Sequence, residues 1–167
     1  AYNTAGKSYY NQKAFDKAIQ AFKNALKKNT EYPEAHFNKG VASYQLGKYE
    51  ESISDLSKAI GYEKKNAIWY YHLARAYQAR KDYKNAVLNY TECINNSMPH
   101  IIEEAVYNRG ICYYQAKHFN EALADYLKLQ TKMADSISKT FDRELATIYL
   151  HVSKYDSAIA HYHKSLQ

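Results

Sequence analysis

The sequence is poor in the residues that break or staple a chain. Two prolines and five glycines occur in 167 residues, too few turn formers for an all-β chain of this length, so helix is the default. The two cysteines, Cys93 and Cys112, are too few and too far apart for a disulfide framework or a zinc site, and read as small buried side chains. No apolar run approaches the roughly 20 residues that span a bilayer. The opening AYNTAGKSYY lacks the apolar stretch of a signal peptide, so no direct membrane insertion is expected. Each glycine stands alone in a helical pattern or in the turn QLGKY, which leaves no phosphate-cradling loop. The seven histidines are scattered, and the one close pair, His161 and His163, has a spacing that points to different sides of a helix. No Ser, Cys or Lys is accompanied by a base and an orienting group. The chain is therefore expected to be no enzyme, with no catalytic residues, no metal and no cofactor.

What is present is a repeat. The 46% hydrophobic content suffices for a substantial core, and 19 residues are tyrosine. Small residues recur at Gly6, Gly40, Ala74, Gly110 and Ala146, spaced by 34, 34, 36 and 36 residues. Twelve residues after each comes a second small column, Ala18, Ser52, Ala86, Ala122 and Ala158, the register of two helices joined by a short turn. Large residues keep the same spacing: Phe15, Tyr49, Tyr83, Phe119 and Tyr155, then Ile19, Ile53, Val87, Leu123 and Ile159, then Phe22, Leu56, Tyr90, Tyr126 and Tyr162. Offsets of four and three put them on one face of the second helix, an apolar stripe that only a neighbouring repeat can cover. First helices carry Tyr9, Tyr77, Tyr113 and Tyr149, with Ser43 breaking the column.

Segments such as NKGVASYQLGKYEESISDLSKAI and YNRGICYYQAKHFNEALADYLKL resemble the tetratricopeptide repeat family, in five copies over essentially the whole chain. The resemblance implies an all-α, right-handed superhelical α-solenoid of antiparallel helix pairs with a concave inner face. It implies one domain over residues 1–167, with repeats near 1–32, 33–66, 67–100, 103–136 and 139–167. Extra residues near Asn95–Ile102 and Gln130–Lys139 predict looser joints or longer helices there. Ser97, two before Pro99, reads as an N-cap that starts the fourth inner helix early. The chain starts inside a first helix and stops inside a second helix without a polar cap, which predicts a segment of a longer protein.

In such a stack the first helices line the groove, and their inward offsets select Lys7, Phe37, Asn38, Tyr71, His72, Arg75, Tyr107, Asn108 and Arg143. Asn38, His72 and Asn108 hold equivalent places two residues before Gly40, Ala74 and Gly110. An amide that both donates and accepts suits gripping of an extended main chain. An inner-helix asparagine does this in peptide-binding relatives, so the resemblance implies Asn38 and Asn108 as backbone clamps. Phe37, Tyr71 and Tyr107 are expected to supply flat apolar walls. Lys7, Arg75 and Arg143 could meet a carboxylate, but Glu34, Glu104 and Glu144 on the same face make the groove near neutral. The co-chaperone subfamily that holds a carboxylate tail is not matched: Asn38 fits its pattern, whereas Asn3, Lys7, Ile68 and His72 depart from it.

The leading expectation is a scaffold that docks a protein or peptide partner within a larger assembly. Against it stands a structural module that self-associates through its ends to form a homo-oligomer, driven by residues such as Ile159 and Leu166. The net charge of +6 raises a third reading, RNA binding. The basic residues lie on outer faces such as KNALKKN, so no nucleic acid partner is expected. Two cysteines that make no disulfide framework lean towards a reducing cytoplasm, while richness in Tyr, Asn and Lys keeps a bacterial cell envelope open.

Overall fold

Each helix pair is closed by one recurring turn. In the computed structural model, which describes residues 1–96, 99–132 and 139–166, Lys13, Gly47, Lys81, Lys117 and Ser153 have φ between 58° and 72°. They recur at the repeat spacing. The residue after each donates its backbone N–H to a carbonyl five positions back, as Ala14 does to Tyr9, Lys48 to Ser43 and Asp82 to Tyr77. The left-handed residue itself donates three back, as Lys13 does to Tyr10. This Schellman arrangement satisfies the last carbonyls of the first helix and reverses the chain. Only Gly47 adopts the conformation without a side-chain penalty.

The regular structure among the described residues is all α-helix, in two compact units, Ala1–Met98 and Pro99–Gln167. The first holds α1 (Tyr2–Asn11), α2 (Phe15–Lys28), α3 (Pro33–Gln45), α4 (Tyr49–Tyr62), α5 (Ala67–Ala79) and α6 (Tyr83–Asn96). The second holds α7 (Pro99–Gln115), α8 (Phe119–Lys132), α9 (Lys139–His151) and α10 (Tyr155–Leu166). Within each unit consecutive helices pack on one another. Helix α7 has 17 residues against 13 in α3, α5 and α9, the early start expected at Pro99. Ser97 lies outside the described residues.

The small columns fall at the helix crossings. Ala74 and Ala146, and all five members of the second column, are fully buried. A Cβ built on Gly6 would stand 2.4 Å from the Phe22 ring, and one on Gly40 2.8 Å from Leu56 Cγ. At Gly6 and Gly40 even a methyl group would collide with the facing side chain. Phe22, Leu56, Tyr90 and Tyr126 fill the space between the helices of their pairs, each contributing on the order of 2 kcal/mol by burial.

Three buried carboxylates were not anticipated from the sequence. Asp55 on α4 accepts from Lys39 Nζ at 2.7 Å and faces His36 Nδ1 at 3.1 Å. Asp125 on α8 takes a two-pronged bond from Arg109, with Nε at 2.8 Å and Nη2 at 2.7 Å. Asp142 on α9 faces His161 Nδ1 at 2.7 Å. In repeat register Asp142 stands where His36 stands, and His161 where Asp55 stands. The same pair therefore joins the same two positions with its partners exchanged.

Candidate functional site

The inner-helix ladder position is occupied in turn by Thr4, Asn38, His72, Asn108 and Glu144. In the first unit, Asn38 Nδ2 donates to Asn3 Oδ1 at 3.1 Å, and Asn3 Nδ2 donates to the Tyr32 hydroxyl at 3.0 Å. The amide is thereby oriented, and its Oδ1 has no partner among the described residues. Asn38 lines a cavity of about 220 Å³ with Lys7, Tyr10, Asn11, Phe22 and Val41.

One repeat further along this unit the rings close up. Phe37 stacks on Trp69 with centroids 5.5 Å apart and meets His72 edge-on at 5.3 Å. Tyr71 is only 6% exposed, because its ring packs edge-on against both His72 and Tyr90. This places Tyr71 in the core and not on the wall expected from the spacing. Arg75 lays its guanidinium over the rings of Tyr44, at 5.0 Å, and Tyr71, at 5.8 Å. Burial, with Arg75 adding a like charge, pushes His72 down to about 4. The ring is neutral at pH 7 and works as a polar aromatic surface, not a cation.

In the second unit the ladder ends on a carboxylate. Glu144 Oε2 accepts from the hydroxyls of Tyr107 at 2.8 Å and Tyr126 at 2.9 Å. Burial first, then the bond to Glu144 and its charge, pushes Tyr107 up to about 12. Tyr126 is raised for the same reasons. Both hydroxyls stay protonated and hold the carboxylate in place. Glu144 lines a cavity of about 290 Å³ with Ile111, Tyr114, Gln115, Tyr126, Thr147 and Ile148, and the exposed Arg143 at its rim. Asn108 donates to the backbone carbonyl of Glu104 on its own helix, at 2.9 Å.

The two cavities are the same place in the repeat. Lys7, Tyr10, Asn11, Phe22, Asn38 and Val41 correspond in register to Ile111, Tyr114, Gln115, Tyr126, Glu144 and Thr147. The structure thus brings Lys7 to Asn38 in one unit and Arg143 and Tyr107 to Glu144 in the other. Phe37, Tyr71, His72 and Arg75 form one cluster with Trp69 and Tyr44. Sequence reasoning treated Glu144 only as an opposing charge and missed the cavity walls Tyr10, Tyr114 and Tyr126. The available signal was Tyr126 standing in a column where Phe22 lacks a hydroxyl.

Among the described residues no group of three or more His, Cys, Asp or Glu side chains could hold a metal ion, and no helix is long and apolar enough to cross a membrane. Both cysteines are buried, and neither forms a disulfide among the described residues. Burial pushes Cys112 up to about 12, so it stays a thiol.

Residues 6–47 match a family model described as TPR repeat, and residues 33–66 and 70–97 match models described as tetratricopeptide repeat. The chain belongs to the tetratricopeptide repeat family. No curated protein matches the sequence. Solved tetratricopeptide structures superpose over nearly its whole length. A crystal structure of MamA has a TM-score of 0.86 at 21% identity, covering 96% of this chain and 92% of MamA. MamA from Desulfovibrio magneticus RS-1 gives 0.87 at 16% identity, covering 99% and 91%. YrrB, described as a TPR protein with an unusual peptide-binding site, gives 0.87 at 15% identity, covering 99% and 83%. At these identities the likeness shows a shared tetratricopeptide solenoid fold. That fold is typical of protein interaction scaffolds.

Proposed function

We propose that the chain is a non-catalytic scaffold whose first helices dock a peptide segment of a partner protein. The observation that carries this reading is the pair of register-equivalent cavities, each with apolar and aromatic walls and one oriented polar group from the ladder position. In the first unit Lys7, Phe37, Asn38, His72 and Arg75 would meet the peptide, with Tyr71 supporting them from below. In the second Tyr107, Asn108 and Arg143 would. YrrB is described as having a peptide-binding site, and this chain shares its fold.

The reading is tested by selecting from a random peptide display library against the whole chain. Peptides of micromolar Kd are expected, losing about tenfold in affinity in Asn38→Ala. Selection that yields no binder, or binders indifferent to both Asn38→Ala and Asn108→Ala, defeats the proposal.

A second reading has its own support. In α10 Ile159 is 55% exposed and Leu166 76% exposed, whereas Ile19 and Leu123, in the column of Ile159, are each 5% exposed. An uncovered stripe of this kind favours self-association. Sedimentation velocity separates the readings: a concentration-dependent mass abolished by Ile159→Lys supports the structural module, and a fixed monomer mass removes it.

A further inference from the structure

Of the equivalent cavities only that of the second unit ends on a carboxylate. Its Oε2 is taken by two tyrosine hydroxyls, while Oε1 of Glu144 has no partner among the described residues. Both hydroxyls point at Glu144 and act as donors, which fixes the carboxylate as an acceptor before any ligand arrives. Around it, Ile111 and Thr147 offer aliphatic surface and Tyr114 a ring face, with the buried Tyr126 and Ile148 closing the back of the cavity. That combination suits one chemistry. A long side chain with a methylene stem and a cationic head can bury the stem along apolar walls while its N–H donors reach the open carboxylate oxygen.

In the first unit the equivalent of Glu144 is the neutral Asn38, and the equivalent of Ile111 is the cation Lys7. A basic side chain would there meet a like charge and find no counter-charge. Elsewhere in the first unit, at the level of α3 and α5, Arg75 of the chain itself lies over Tyr44, the register equivalent of Tyr10 and Tyr114. The molecule thus displays a guanidinium already seated on this ring position, supplied from within.

Resting on the groove reading above, we propose that the cavity between α7, α8 and α9 is a subsite for a lysine or arginine side chain of the docked partner, with Glu144 as its counter-charge. Arg143 at the rim is not the natural occupant. It is exposed, no bond joins it to Glu144, and as a neighbouring like charge it weakens entry of a second cation.

The test uses the whole chain, methyl-resolved NMR and four defined probes. Nα-acetyl-lysine methylamide and Nα-acetyl-arginine methylamide carry the charge. The norleucine and citrulline analogues keep the stems and lack it. The cationic probes are expected to shift the methyls of Ile111 and Ile148 and to leave Val41, in the equivalent cavity of the first unit, unmoved. The neutral analogues should bind at least about fivefold more weakly, and Glu144→Gln should weaken the cationic probes by a similar factor at unchanged helical circular dichroism. Should that variant lose helicity, Arg143→Ala decides instead: it leaves Glu144 intact and is expected to tighten cationic-probe binding. Equal binding of charged and neutral probes, equal shifts at Val41, or loss of binding in Arg143→Ala would overturn the subsite. If the probes fail while selected peptides still bind and still depend on Asn38, the subsite falls and the docking groove stands. If the probes behave as expected but no peptide is ever selected, the groove reading falls alone.

Discussion

The two units solve one packing problem with opposite electrostatics. At the same repeat position the first unit places an amide held by Asn3 and a lysine, and the second a carboxylate held by two tyrosines. Their interiors use one kind of pair, a buried aspartate with a cation, but share it out differently. Asp55 shares its charge between Lys39 and His36, whereas Asp125 leans on Arg109 at both oxygens, with Lys128 Nζ at 3.8 Å and largely exposed. A repeat scaffold fixes where side chains go and leaves their chemistry free to differ, so function has to be read junction by junction.

The sharpest way to break this comparison is to remove one partner from each buried pair. Arg109→Ala leaves the Asp125 carboxylate nearly alone in the interior and is expected to cost about 3 kcal/mol. Lys39→Ala leaves Asp55 its contact with His36, and should cost about 1 kcal/mol. Urea unfolding of the two variants at pH 7 measures both, and equal losses would refute the distinction.

The units should also fail at opposite ends of the pH scale. His72 is lowered in the folded state relative to an unfolded histidine near 6.5, so its contribution is complete above about pH 6.5. It is lost as the pH falls towards 4. Tyr107 is raised from 10 to about 12, so its contribution is complete below pH 10 and disappears between about 10 and 12. The single tryptophan, Trp69, is buried in the first unit against Phe37, and its fluorescence reports that unit. Its melting temperature is expected to drop by several degrees between pH 7 and pH 5, and His72→Leu should flatten that slope. A slope unchanged in the variant assigns the acid sensitivity elsewhere.

The smallest effect concerns two hydroxyls. Ser43 and Ser52 of the first unit bury their Oγ atoms without a hydrogen-bond partner among the described residues. Ser52 stands in a column that is alanine in all four other repeats. Ser52→Ala should therefore stabilise by about 1 kcal/mol, seen as a higher urea midpoint with unchanged slope.

The helix pairs and their crossings were legible because backbone approach forces small residues and burial forces large ones, and both constraints recur at every repeat. The candidate site was legible only in part. Inward offsets selected Asn38, Glu144 and Arg143, but a helical offset does not say what the next helix covers, and Tyr90 buries Tyr71. The tyrosine grip on Glu144 needs hydroxyls from α7 and α8 to meet on α9, a coincidence of three helices that no single periodicity displays. The left-handed Lys13, Lys81, Lys117 and Ser153 escaped notice because that conformation is usually signalled by glycine or asparagine.

The exchanged pair of His36 with Asp55 and Asp142 with His161 bears on how the chain avoids errors while it folds. Repeats of near-identical outline invite a helix to settle against the wrong mate. Were α9 to dock on α4, Asp142 would face Asp55, and were α3 to dock on α10, two imidazoles would meet with no carboxylate between them. Helices that are interchangeable by shape are thus told apart by polarity. Swapping the residues at both positions of one pair together should be tolerated far better than changing either alone.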